Sequence, residues 1–206
     1  MSGLLLSAAE ARVVAALTEK SLTTPDYYPM TVNGLMAACN QKTSRNPVLS
    51  LTEGEVGNAL LTLEEKGLVG RDDSSARATK WRSRFLHQML LKPATQAVLV
   101  ALMLRGAQTT AELRSNAAAL NGPAEAEAVQ AALDDLADRA QPLVTTLPRQ
   151  PGQAAVRHAQ LLCGEPVVTA SEEAPATRGS SSAEARLLAL EQRVAALEKL
   201  LAINAE

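Results

Sequence analysis

Aromatic residues are nearly missing from this chain: one Trp, two Tyr and one Phe make up 2% of 206 residues. Sheets that pack face to face draw heavily on aromatic and β-branched side chains. Cores built here from Leu, Ala and Val suit packed helices better. Cysteine is as scarce. Cys39 and Cys163 stand far apart with no Cys-x-x-Cys and no histidine at ligand spacing. That excludes a disulfide framework and a zinc site, and both read as small buried apolar residues. Histidine is limited to His87 and His158. Neither lies in a Gly-x-Ser-x-Gly, His-Glu-x-x-His or phosphate-loop context, so each reads as a surface or half-buried structural residue. The expectation is a protein that is not an enzyme and takes no cofactor and no metal. No apolar run reaches the roughly 18 residues of a membrane helix. Leu4-Leu5-Leu6 is too short for a secretion signal and follows no basic residue. A soluble, cytoplasmic protein without membrane contact is expected.

What is present is apolar content, at 47%, and a charge that is balanced overall at −2 but uneven along the chain. Residues 1–92 carry 11 basic and 9 acidic groups, residues 93–166 carry 5 and 7, and residues 167–206 carry 4 and 6. Only the first segment favours a polyanion on charge alone.

The most informative stretch is 50–85. Thr52 and Glu55 are spaced as a capping box, so a helix should begin at Glu53. Val56, Ala59, Leu60 and Leu63 then form one apolar stripe, and Gly67 ends the helix as a left-handed cap. Leu68-Val69 and Lys80 to Phe85 read as two short strands joined by the polar stretch Arg71 to Thr79. A helix followed by a β-hairpin with a loose basic tip is the back half of a winged helix. Upstream, Ser7 and Glu10 repeat the capping-box spacing and open a helix to about Ser21, with Val13, Val14 and Leu17 inward. Two prolines, Pro25 and Pro29, break it. Thr31 caps a second helix, Val32 to about Gln41, burying Leu35, Met36 and Cys39. The polar connector Asn40 to Pro47 leads to Val48-Leu49, which are candidates for a short strand. These elements make one winged-helix domain over 7–90.

The grammar then repeats. An apolar helix from Thr95 to Leu104 closes at Arg105-Gly106, Thr110 introduces Ala111 to Leu120, and Asn121-Gly122-Pro123 breaks the chain. Ala124 to Ala140 carries Val129, Leu133 and Leu136 on one stripe. Leu143 to Leu147, Pro148 to Ala155 and Val156 to Leu162 read as strand, wing and strand. A second winged-helix domain over 93–163 is expected, a tandem copy of the first. Residues 164–182 are rich in Pro, Ser, Thr, Glu and Ala and read as a flexible linker. In 183–203, Leu187, Leu190, Val194, Leu197 and Leu201 are spaced 3, 4, 3, 4, as in a coiled coil. Such a short amphipathic helix is marginal alone. It is a candidate for self-association into a homodimer, for docking on its own domain, or for binding a partner. The fold class is therefore mainly α with small β-hairpins (α+β): two tandem winged-helix domains and a C-terminal coiled-coil-like helix.

Several segments together are distinctive: Ala11-Arg12-Val13 with Glu19-Lys20, the run Thr23-Thr24-Pro25-Asp26-Tyr27-Tyr28-Pro29, Ala37 to Lys42, Arg45-Asn46-Pro47-Val48, Lys66-Gly67-Leu68-Val69 and Leu147 to Gly152. On these residues the chain resembles the YceH family of bacterial proteins over about 4–164. The resemblance implies a tandem winged-helix fold in a bacterial cytoplasmic protein. It assigns no catalytic or ligand residue and does not reach the tail.

Two partner classes remain. Lys42, Arg45, Arg71, Arg77, Lys80, Arg82 and Arg84 are the candidates for nucleic-acid binding, because a wing can lay such cations along phosphates. Alternation along Lys80 to Phe85 puts Lys80, Arg82 and Arg84 on one face and Trp81, Ser83 and Phe85 on the other. Against DNA stands the charge of the third helices, with Glu53, Glu64 and Glu65 in the first repeat and Glu125, Glu127, Asp134, Asp135 and Asp138 in the second. Those acidic faces and the heptad-spaced tail favour a protein-interaction scaffold instead, and the two readings are compatible in one molecule.

Overall fold

A computed structural model describes residues 4–72, 78–149 and 153–166. The described chain is mainly helical with two small antiparallel strand pairs. All of it falls within one compact unit, and buried side chains from both halves form one continuous core. The linker beyond residue 166, the heptad-spaced tail and the hairpin-tip residue Arg77 lie outside the described residues.

Helix α1 (Ala8–Thr23) starts on Ser7, whose side chain accepts from the Glu10 N–H while Glu10 accepts from the Ser7 N–H. Its residues from Ala11 to Glu19 are all buried. An isolated three-helix module would bury one stripe of such a helix. Burial all round means that it is covered on every side. The cover comes from the second half of the chain: α1 packs on α2 (Val32–Cys39), on α3 (Glu53–Glu65) and also on α5 (Pro93–Arg105). Helix α5 is likewise buried without interruption from Thr95 to Leu104. Pro93 opens it, at a position whose N–H would be unpaired in any case, and Gly106 closes it at φ +72°.

Helix α3 has the capping box of Thr52 and Glu55, the buried stripe Val56, Ala59, Leu60 and Leu63, and Gly67 at φ +72° beyond its end. The first hairpin pairs β1 (Val69–Asp72) with β2 (Lys80–Ser83) in the register Val69↔Ser83 to Asp72↔Lys80. The strand is shorter than its alternation suggests. Phe85 is buried as expected, but from the start of the short helix α4 (Phe85–Gln88).

Val48-Leu49 form no strand, and the edge of β2 they could have joined is taken. The free edge of β2 is occupied by Met30, which exchanges two backbone hydrogen bonds with Trp81 at 3.2 and 2.8 Å. Leu51, next along the connector, is bonded by the Asn40 side chain, which donates to the Leu51 carbonyl and accepts from its N–H, both at 2.8 Å.

The second half repeats this plan closely. Helix α6 (Thr110–Ala118), helix α7 (Ala126–Ala137) and the pair β3 (Val144–Leu147) with β4 (Arg157–Gln160) follow α5. Gln108 exchanges two backbone hydrogen bonds with His158, as Met30 does with Trp81. In each half the residue after this bridge is a helix cap, Thr31 and Thr109. The cap of α6 is thus Thr109, which forms a capping box with Glu112, and Thr110 is the first helical residue. The choice between two adjacent threonines follows from the bridge, which holds Gln108 extended and leaves Thr109 at the turn into the helix.

Candidate functional site

The candidate cations divide into three groups. Lys80, Arg82 and Arg84 come together on one face of the first hairpin. Gly70 and Asp72 stand opposite Arg82 and Lys80 in the register, and Arg82 pairs diagonally with Asp72. The Arg84 guanidinium lies where a side chain on Gly70 would sit, with Nε 2.6 Å from that β-carbon position. Gly70 is therefore needed for Arg84 to lie along this face. Arg82 also stacks over the Tyr28 ring, 5.9 Å from its centroid. Tyr28 accepts a 2.6 Å hydrogen bond from the Ser83 N–H. Burial lifts its phenol pKa above the usual value, with that hydrogen bond acting the other way.

Arg71 belongs to the opposite face. It stacks over the buried Trp81 ring at 5.3 Å and pairs with Glu64 of α3 at 3.0 Å. Lys42 is exposed on the connector.

Arg45 is not at the surface at all. Its side chain is 0% exposed and donates to both carboxylate oxygens of Glu19, at 3.2 and 2.5 Å, and to the Ala38 carbonyl at 2.9 Å. A connector reads as solvent-exposed from its polarity, but this one is pinned across α1. Arg12, also buried, donates to the carbonyls of Cys39 and Pro47. Desolvation and the neighbouring Arg45 lower the Arg12 pKa. From α5, Arg105 reaches the Ser44 hydroxyl at 2.8 Å, and the Asn46 N–H donates to the Leu104 carbonyl. The connector is the joint between the halves, and Arg45 is spent within it. Glu19, next to the apolar run Val13 to Leu17, calls for a cation once buried, but with Arg12 and Lys20 on the same helix the sequence does not single out Arg45.

The remaining candidates for chemistry are separate from one another. His87 is exposed, whereas His158 is 6% exposed and sits between the Thr146 and Thr110 hydroxyls at 3.1 and 3.4 Å. It is more deeply enclosed than a half-buried strand residue because it holds the place in β4 that Trp81 holds in β2. Cys39 is buried, and desolvation pushes its thiol up to about 12. Cys163, expected inside, is exposed, because it lies past the end of β4 in a turn that leaves Leu162 as the buried residue. No group of His, Cys, Asp and Glu that could hold a metal occurs among the described residues. None of their helices is long and apolar enough to cross a membrane.

On the third helices, α3 exposes Glu53, Gly54, Asn58, Leu61 and Glu65. A β-carbon on Gly54 or on Gly57 would meet nothing within 4 Å. Helix α7 exposes Glu127 and Asp134, while Asp135 is engaged by Lys92 at 3.0 Å and Arg139 at 3.4 Å.

Residues 6–153 match the family described as "Protein of unknown function, DUF480". The chain belongs to the DUF480 family. Among curated bacterial relatives it is similar to the UPF0502 protein GSU0233 of Geobacter sulfurreducens, at 43% identity over 195 residues, covering 95% of this chain and 88% of the relative. A UPF0502 protein of Acidovorax sp. is 46% identical over 94% of the chain and 86% of its own length. The UPF0502 protein azo0627 of Azoarcus sp. is 41% identical over 92% and 84%. With 95% of the chain aligned, the likeness to the UPF0502 proteins runs past the DUF480 match and into the tail.

Proposed function

We propose that this DUF480 protein is a non-catalytic, tandem winged-helix protein that binds nucleic acid through the basic face of its first hairpin. The observation that carries the reading is the convergence of Lys80, Arg82 and Arg84 on one solvent-facing side of β2, while Trp81 and Phe85 anchor the same segment from inside. The twice-repeated order of three helices and a hairpin, with a bridge to the hairpin's outer strand, supports the winged-helix reading, and the resemblance to the YceH family points the same way. Arg45 takes no part, Arg71 is partly engaged by Glu64 and Trp81, and Arg82 by Asp72 and Tyr28. Phosphate contacts by such cations give salt-dependent affinity with little base readout.

The test is anisotropy of labelled duplex DNA across a salt series, with the wild type and a Lys80→Ala, Arg82→Ala, Arg84→Ala variant. For every phosphate that is no longer neutralised, the slope of log affinity against log salt should become shallower by about 0.9. An unchanged slope refutes the reading. The second reading, a protein-interaction scaffold, is favoured by the exposed face of α3, where Leu61 is 47% exposed beside Gly54 and Asn58. It would use the heptad-spaced tail to pair two copies. A chain that stays monomeric and captures no partner protein from its own cells would count against this reading.

A further inference from the structure

We infer that the loop between α1 and α2 forms a binding site for a small amphipathic anion, a flat apolar body carrying a carboxylate or similar acid. A cavity of about 520 Å³ opens between the Pro25–Tyr27 turn, the exposed side of α2 and the start of β2. That volume is in the range of small-molecule sites.

Its floor is apolar and shallow. Gly34, Ala37 and Ala38 present almost no side chain from α2, so a planar group can lie against the helix, with Pro29 and Met30 along one side. Tyr27 stands at the mouth with 81% of its surface exposed, a large aromatic ring with nothing to cover it among the described residues. Polar groups around the rim are mostly donors. The Lys80 side chain makes no hydrogen bond or ion pair among the described residues. Lys20 has only a 3.7 Å contact with Glu19, whose carboxylate is already held by Arg45. Gln41 is oriented by Arg45, which donates to its Oε1 at 3.1 Å and leaves the amide N–H₂ without a partner among the described residues. Asp26 is the one carboxylate that they place on the rim. Two ammonium groups and an amide donor against one carboxylate favour an anion, and the small-residue floor with Tyr27 beside it favours a flat apolar body.

The site is built from the run Thr23 to Thr31, which includes both prolines and both tyrosines of the loop. It shares Lys80 with the nucleic-acid reading and is otherwise separate from it, since Lys20, Tyr27, Ala37 and Gln41 lie off the hairpin. Met30, in its wall, is the residue bonded to Trp81, so an occupant would touch the strut that holds β2 in place.

The probe is 1-naphthoate, compared with neutral 1-naphthamide, titrated to millimolar concentration into the full-length ¹⁵N-labelled protein. Amide shifts should concentrate at Gly34, Ala37, Ala38 and Gln41. The acid should bind more tightly than the amide by about fivefold, the strength of a partly exposed ion pair. Lys20→Met should reduce that preference while leaving the amide's affinity unchanged, and Ala37→Trp should fill the floor and abolish binding of both. Lys20→Met alone decides if Ala37→Trp fails to fold. Shifts centred elsewhere, such as at Leu5 and Leu90, no binding, or equal affinity for acid and amide would overturn the assignment.

Discussion

Replacing Gly57 with Ala should make the protein more stable. Gly57 is the fifth residue of α3, inside a helix that runs from Glu53 to Glu65, and its backbone is not in the left-handed region that would require glycine. A methyl group there meets nothing within 4 Å. The substitution thus adds no clash and removes the entropic penalty that glycine carries in a helix interior, about 1 kcal/mol. For a chain of this size that corresponds to a rise in melting temperature of about 2–4 °C. Gly54 is the second residue of the helix, where fewer hydrogen bonds depend on it, and Gly54→Ala should gain less, about 0.5 kcal/mol. Urea denaturation measures both: the midpoint should rise with the m-value unchanged. A midpoint that stays or falls would show that the glycines serve the fold after all. Nothing among the described residues calls for them.

Glu19→Ala should destabilise the protein by about 3–5 kcal/mol, because it leaves the fully enclosed Arg45 charge without its carboxylate; a loss under about 1 kcal/mol in the same urea experiment would refute this. Ellman's reagent should titrate one thiol, Cys163, in the native protein and both after denaturation, since burial holds the Cys39 thiolate back by pushing its pKa to about 12. Burial also lowers the His158 pKa below 6.5, with Asp134 acting the other way. The unfolded chain therefore takes up this proton first as pH falls. His158 contributes its full stabilisation above the ordinary imidazole range and loses it as pH drops through 6.5 toward the folded-state value. The slope of stability against pH in that window should shrink in His158→Asn.

Features set by neighbouring residues could be read directly from the sequence. The capping boxes at Ser7 and Thr52, the stripe of α3 and the glycine that ends it depend on contacts within one or two turns, and all are present. Alternation in β2 likewise put Trp81 inside and the cations out. What could not be read depends on long-range pairing. The Met30 bridge that displaces Val48-Leu49, the Gln108 bridge that selects Thr109, and the carboxylate that draws Arg45 inward each join residues far apart in the chain. Polarity alone made Arg45 and Lys42 look alike, and only the position of Glu19 on an enclosed helix separates them. The periodicity of α1 marks Val13, Val14 and Leu17, but it carries no sign that α5 closes over its remaining faces.

The enclosure of α1 and α5 makes the two repeats mutually dependent. Cut between Leu91 and Lys92, each fragment would carry a greasy central rod with one flank bare, so neither half should be recoverable as a well-behaved piece, while the two mixed together should reassociate. The amides of these two helices should be the last to exchange with solvent, and a lesion in one repeat should be felt as melting of both.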